Sequence, residues 1–183
     1  MFNDNRSRKV ILVSHCILNQ NSISDGTADY PAQFDEIVKL LTDNNIGIMQ
    51  LPCPELLCLG LDRGDKNGGS RELLQENSRI RILLEKEYNL RRLHEIVRPI
   101  VCQVKEYLKY EFTIIGLIGI NRSPSCGVET TSAVNQEVGR KGVFINMLLE
   151  ELKREGIIIK SIGVKTSKID ESVTNIKQFI NYE

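Results

Sequence analysis

Short apolar runs alternate along this chain with longer stretches in which apolar residues return every three or four positions. Residues 9 to 13 form the first run, which stops at Ser14-His15-Cys16 before a polar stretch through Asn19, Gln20, Asn21 and Ser22. That pattern predicts a buried strand followed by a functional loop. Phe34, Ile37, Val38, Leu40 and Leu41 then recur at helical spacing, with Asn44, Asn45 and Gly47 as stop signals. A second strand is predicted over residues 48 to 51. It is closed by Pro52-Cys53-Pro54, whose prolines forbid a continuing ladder or a helix interior.

Residues 62 to 70 hold three glycines, four charges and an asparagine, a composition that predicts an exposed, substrate-facing loop. Leu90, Leu93, Ile96, Val97, Ile100, Val101, Val104 and Leu108 trace one long amphipathic helical region, with a kink or break expected at Pro99. The most apolar segment, residues 112 to 120, predicts a central strand buried on both faces and leads into Asn121-Arg122-Ser123-Pro124-Ser125-Cys126-Gly127. A helix over 143 to 152 stopped by Gly156, a strand over 157 to 164 and a helix over 171 to 180 complete the chain. Strand and helix alternate throughout. The alternation predicts an α/β fold, a small open, mostly parallel sheet with helices on both faces, of flavodoxin or Rossmann type. At 183 residues and 41% apolar content, one domain over residues 1 to 183 is expected.

Charge and cysteine content narrow the function. Lys plus Arg and Asp plus Glu both total 24, so no net field favours nucleic acid or an anionic membrane surface. The apolar runs fall short of the roughly 20 residues that span a bilayer, and the polar start is not a signal peptide. A cytoplasmic protein without a nucleic-acid or membrane partner is expected, of an oligomeric state the sequence does not specify. Five cysteines is an odd number, which in such a setting predicts reduced thiols or metal ligands rather than a disulfide framework. No Cys-x-x-Cys pair or ferredoxin-like run is present, so any metal site must be assembled by the fold.

Open sheets of this kind bind ligands beyond the carboxyl ends of their strands, where strand order reverses. Cys16, Cys53 and Cys126 all follow such ends, on the first three predicted strands, and are expected to meet as one three-thiolate site. Zinc could use His15 as a further ligand, but adjacent side chains in an extended segment point to opposite faces. Soft thiolates also suit an iron–sulfur cluster, and three cysteines on a [4Fe-4S] cluster leave one iron open as a Lewis acid. Glu55, two positions from Cys53, would project with its thiolate if the segment were extended, and could exchange protons. Ser123 could hydrogen-bond substrate or water, or shape the turn before Cys126. Cys102 is expected in the core among Val101 and Val104, and Cys58 is expected to pack among Leu56, Leu57 and Leu59. A cysteine phosphatase needs an arginine about six positions after Cys16, where Ser22 stands. No Walker A or dinucleotide fingerprint is present.

The motifs Ser14-His15-Cys16-Ile17-Leu18-Asn19, Cys53-Pro54-Glu55 and Ser123-Pro124-Ser125-Cys126-Gly127 together resemble the 2-thiouracil desulfidase family. The resemblance implies a [4Fe-4S] cluster on Cys16, Cys53 and Cys126 whose open iron takes sulfur from a small thiolated base, while Glu55 and Ser123 handle protons and water. The chain departs from that family after Cys16, where residues 17 to 26 keep only Asp25-Gly26 of the usual stretch, and after Glu55, where the segment up to Arg63 carries Cys58. A non-catalytic cluster-binding module or redox sensor, and a sulfur-transfer enzyme, are the competing expectations.

Overall fold

The structure, a computed structural model, describes residues 2 to 181. Its centre is a four-stranded parallel sheet in the order β2 (Gly47–Gln50), β1 (Lys9–Val13), β3 (Thr113–Ile120), β6 (Ser161–Val164). Strand β1 (Lys9–Val13) leads through helices α1 (His15–Leu18) and α2 (Asp35–Asp43) to β2 (Gly47–Gln50). The chain then crosses through α3 (Pro54–Leu59), α4 (Leu73–Leu84) and α5 (Glu87–Lys109) to β3 (Thr113–Ile120), on the other side of β1. A hairpin of β4 (Thr131–Ala133) and β5 (Gln136–Val138) precedes α6 (Val143–Arg154), β6 (Ser161–Val164) and α7 (Ile169–Asn181). This is the expected open α/β fold. Because β1 lies between β2 and β3, the chain leaves it first to one side and then to the other, which opens a crevice at the strands' carboxyl ends.

The period-two alternation of the strands divides the apolar side chains between two cores. Val10, Leu12 and Leu117 face a core completed by Ile80 and Leu84 of α4, Leu93, Val97 and Val104 of α5, and Phe144 and Leu148 of α6. Ile11, Val13, Ile118 and Ile120 face the opposite core, filled by Ile17, Phe34, Ile37, Leu41 and Ile176. Helices cover both faces, as a buried parallel sheet requires.

Several local expectations change. Helix α5 runs through Pro99 without interruption; Pro99 and Glu95, whose carbonyl the proline leaves unbonded, are both exposed to water. Cys102 is exposed rather than in the core, because it lies one residue, about 100° of helical turn, beyond buried Val101. The last strand pairs only from Ser161, and Ile158 before it is exposed. Helix α4 escapes the apolar pattern because Glu76, Asn77, Ser78 and Arg81 share its buried face with Ile80 and Leu84. The loop over residues 62 to 70 is not wholly exposed: Arg63 within it is only 2% accessible.

Candidate active site

Each of the three cysteines leaves its strand in a different way. Cys16 sits in α1, a single turn formed directly after β1, with His15 Nδ1 2.9 Å from Gln50 Nε2. Cys53 is the N-cap of α3: Pro54 takes a position where no N–H is needed, and the Cys53 sulfur accepts from Leu56 N at 3.4 Å. Both segments are helical turns, so the extended geometry expected for His15-Cys16 and Cys53-Pro54-Glu55 does not apply. Cys126 lies in a loop fastened at several points. Its carbonyl accepts from Ile120 N at 3.0 Å, its N–H donates to Ser123 Oγ at 3.0 Å, and the preceding Ser125 carbonyl accepts from Phe144 N and Ile145 N at the start of α6. Glycines permit this packing, since a Cβ on Gly119 would stand 2.4 Å from the Cys126 carbonyl oxygen and one on Gly142 would stand 2.4 Å from that of Ser125. Cys16, Cys53 and Cys126 line one cavity of about 240 Å³ together with Glu55 and Ser123.

The Glu55 carboxylate is the hub of the cavity's polar contacts. Buried in the first turn of α3, its Oε2 accepts from Arg63 Nε at 3.0 Å and from Ser24 Oγ at 3.5 Å. Its Oε1 accepts from Ser125 Oγ at 2.6 Å. Ser123, the serine singled out by sequence, reaches Glu55 only through Ser125, whose hydroxyl is 3.3 Å away. The Ser125 hydroxyl has two acceptors in reach, Glu55 Oε1 at 2.6 Å and the Cys126 sulfur at 3.5 Å; with its proton on the shorter contact, the Ser123 hydroxyl is the donor to Ser125, giving a directional chain from Ser123 to Ser125 to Glu55. Arg63 also donates to the carbonyls of Gly60, Leu61 and Ser22. A surface-like loop composition hides this residue; its flanking glycines, 60 and 64, both with positive φ, are the one local hint that the chain turns inward.

The thiols influence one another. Interaction with Cys53, assisted by burial, raises the Cys16 thiol, and the same interaction lowers Cys53. Burial pushes the Cys126 thiol up to about 12. Without a counter-charge, three thiolates in this space repel one another. A cationic group among them would remove that repulsion.

The surrounding polar atoms fit such a group. Ser14 is fully buried between Cys16 and β1, close enough to the Cys126 thiol to favour its thiolate, and among the described residues its Oγ has no partner at hydrogen-bonding distance. An orphaned buried hydroxyl facing a thiol is the donor a sulfur-rich ligand would satisfy. Among the described residues, no group of three or more His, Cys, Asp or Glu side chains is placed to hold a metal ion.

No family model matches the chain. Comparison with curated proteins finds the uncharacterized protein MJ0003 of Methanocaldococcus jannaschii, 32% identical over 169 residues, which cover 90% of this chain and 91% of that protein. The chain belongs to the MJ0003 family. Among solved structures, the [4Fe-4S]-dependent thiouracil desulfidase TudS aligns over 93% of this chain and 99% of its own at 15% identity, with a TM-score of 0.41. In this member of the MJ0003 family the other two cysteines stay outside the cavity. Cys58 packs in the core, as its apolar neighbours imply, and Cys102 faces outward on α5.

Proposed function

We propose that this chain is a [4Fe-4S]-dependent desulfidase that replaces the sulfur of a small thiocarbonyl compound, such as a 2-thiouracil-like nucleobase, with oxygen. The observation that carries this reading is the convergence of Cys16, Cys53 and Cys126 on one cavity that also contains the chain from Ser123 through Ser125 to Glu55. The three-motif resemblance to the thiouracil desulfidases supports the same reading. Held by the three thiolates, a cluster would supply an iron with no protein ligand, a Lewis acid for a thiocarbonyl sulfur.

This chain's own residues would handle the protons. Water adding to the thiocarbonyl carbon loses a proton to the hydroxyl chain ending on Glu55, and the protons leave with the sulfur, so that C=S and water become C=O and hydrogen sulfide without net oxidation. Arg63 occupies Oε2 of Glu55 and leaves Oε1 to Ser125, which fixes the direction in which the carboxylate works. Ser123 stands at the start of the relay and is anchored by the amide of Cys126, so proton transfer and ligand position are set by one loop.

The test is turnover under anaerobic conditions after reconstitution with iron and sulfide. The protein is expected to convert 2-thiouracil to uracil with one sulfide released for each uracil, and Glu55→Gln is expected to hold the cluster while losing turnover. An intact cluster with no turnover of any thiolated base would overturn the desulfidase reading and leave a binding module.

A further inference from the structure

Asn77 is a buried carboxamide on the cavity wall that the proposed proton chemistry does not use. It is 7% exposed, lies on α4 and lines the same cavity as the three thiols. Its Nδ2 is 3.4 Å from the Arg122 carbonyl oxygen and 3.3 Å from Ser132 Oγ. These contacts settle which way the amide is turned. A backbone carbonyl can only accept, and Ser132 spends its proton on that same Arg122 carbonyl at 2.6 Å, so both neighbours present lone pairs and only the amide nitrogen can face them.

Oδ1 therefore points away from Arg122 and Ser132, and it has no hydrogen-bond partner among the described residues. The cavity's other carboxamide shows the contrast. Asn121 accepts from the amides of Val128, Glu129 and Thr130 and donates to Glu129, so it is committed to the loop. Asn77 thus presents a fixed acceptor to the ligand cavity, and a ligand that covers it must supply a donor or leave it unmatched at a desolvation cost.

We infer that Asn77 Oδ1 is the specificity-determining acceptor of the site and reads a ring N–H adjacent to the carbon that bears sulfur. The inference rests on the desulfidase reading and narrows its substrate class to cyclic thioamides and thioureides that retain a free N–H beside the thiocarbonyl. Thiocarbonyl compounds with that nitrogen alkylated are rejected, because the methyl group both removes the donor and buries the acceptor unpaired.

The test uses the cluster-loaded protein and the unreactive oxygen product, so that binding is read without turnover. Calorimetry compares uracil, 1-methyluracil and 3-methyluracil on the wild type and on Asn77→Ala. Uracil is expected to bind the wild type, and one of the two methylated isomers to bind at least about tenfold more weakly, the size of one buried hydrogen bond. In Asn77→Ala uracil is expected to weaken about tenfold while the penalty for that methyl group disappears. Equal binding of uracil and both isomers by the wild type, no uracil binding to a loaded wild type, or an unchanged methyl penalty in Asn77→Ala would overturn the inference. The ligand arm needs no variant, so it decides even if Asn77→Ala fails to fold. Failure of the wild type to take up iron and sulfide appears before any ligand is added and counts against the desulfidase reading itself.

Discussion

Arg63 Nε lies 3.0 Å from Oε2 of Glu55, and both side chains are buried. The pair joins the first turn of α3 to a loop whose composition reads as solvent-facing, and it determines which oxygen of Glu55 is left for Ser125. Taking one partner away strands the other's charge in a poorly hydrated place. Arg63→Met is expected to cost about 3 to 5 kcal/mol of stability, as removal of one member of a buried ion pair does. The double replacement Arg63→Met with Glu55→Leu is expected to regain most of it. Urea unfolding of the two single variants and the double variant measures the coupling, and independent, additive losses would refute it.

The Cys126 loop depends on close backbone approach. Adding a methyl group at Gly119 places it against the Cys126 carbonyl oxygen, so Gly119→Ala is expected to shift the loop and to reduce iron uptake sharply. Gly139→Ala meets nothing within 4 Å and serves as the control, with uptake equal to the wild type. Equal uptake by both variants would show that the loop's position does not matter.

Ser14 gives a prediction of opposite signs. In the protein without cluster its hydroxyl is buried and unpaired, so Ser14→Ala is expected to leave the melting temperature unchanged or to raise it by a few degrees, for a gain of up to about 1 kcal/mol. In the loaded protein the same change is expected to lower the cluster's reduction potential and hasten its loss, because a donor to sulfur has gone. A lower melting temperature without cluster, together with an unchanged potential, would mean that Ser14 serves only the fold.

Much of this fold is legible in the sequence because its parallel strands are buried on both faces and stand out as apolar runs, as residues 112 to 120 do. The three cysteines follow from the same signal, since each comes soon after such a run. Helix α4 is not legible, because its inward face carries Glu76, Asn77, Ser78 and Arg81, and the last three find partners distant in the chain. Arg63 and Asn77 share that difficulty: their roles come from contacts 8 and 45 residues away. Ser125 lies inside a motif the sequence displays, but which of two serines touches Glu55 depends on how the loop seats on α6.

The Glu76 network supports the Arg63 loop and sets a pH dependence. Arg79 hydrogen-bonds Glu76 and, with Arg71, holds its carboxyl below the usual range, while Arg79 Nη2 donates to the Arg63 carbonyl at 3.0 Å. A carboxyl lowered in the folded state stabilises the protein fully above its unfolded value of 4.5 and loses that contribution as pH falls through the lower folded value. Glu76→Gln is expected to cost about 1 to 2 kcal/mol at neutral pH, given two partly exposed arginine partners. The gap from the wild type is expected to close as pH falls below 4.5. Melting curves across that range check it, and a gap that persists or widens in acid would contradict the assignment.

The most direct measurement of the central claim is the iron and sulfide content, with the Mössbauer spectrum, of anaerobically reconstituted protein and of its five single cysteine-to-alanine variants. The account predicts about four irons and four sulfides per chain in the wild type. It predicts loss of that cluster in Cys16→Ala, Cys53→Ala and Cys126→Ala, and retention in Cys58→Ala and Cys102→Ala. Stoichiometric zinc with no iron uptake, or a cluster that survives loss of any one of Cys16, Cys53 and Cys126, would contradict it.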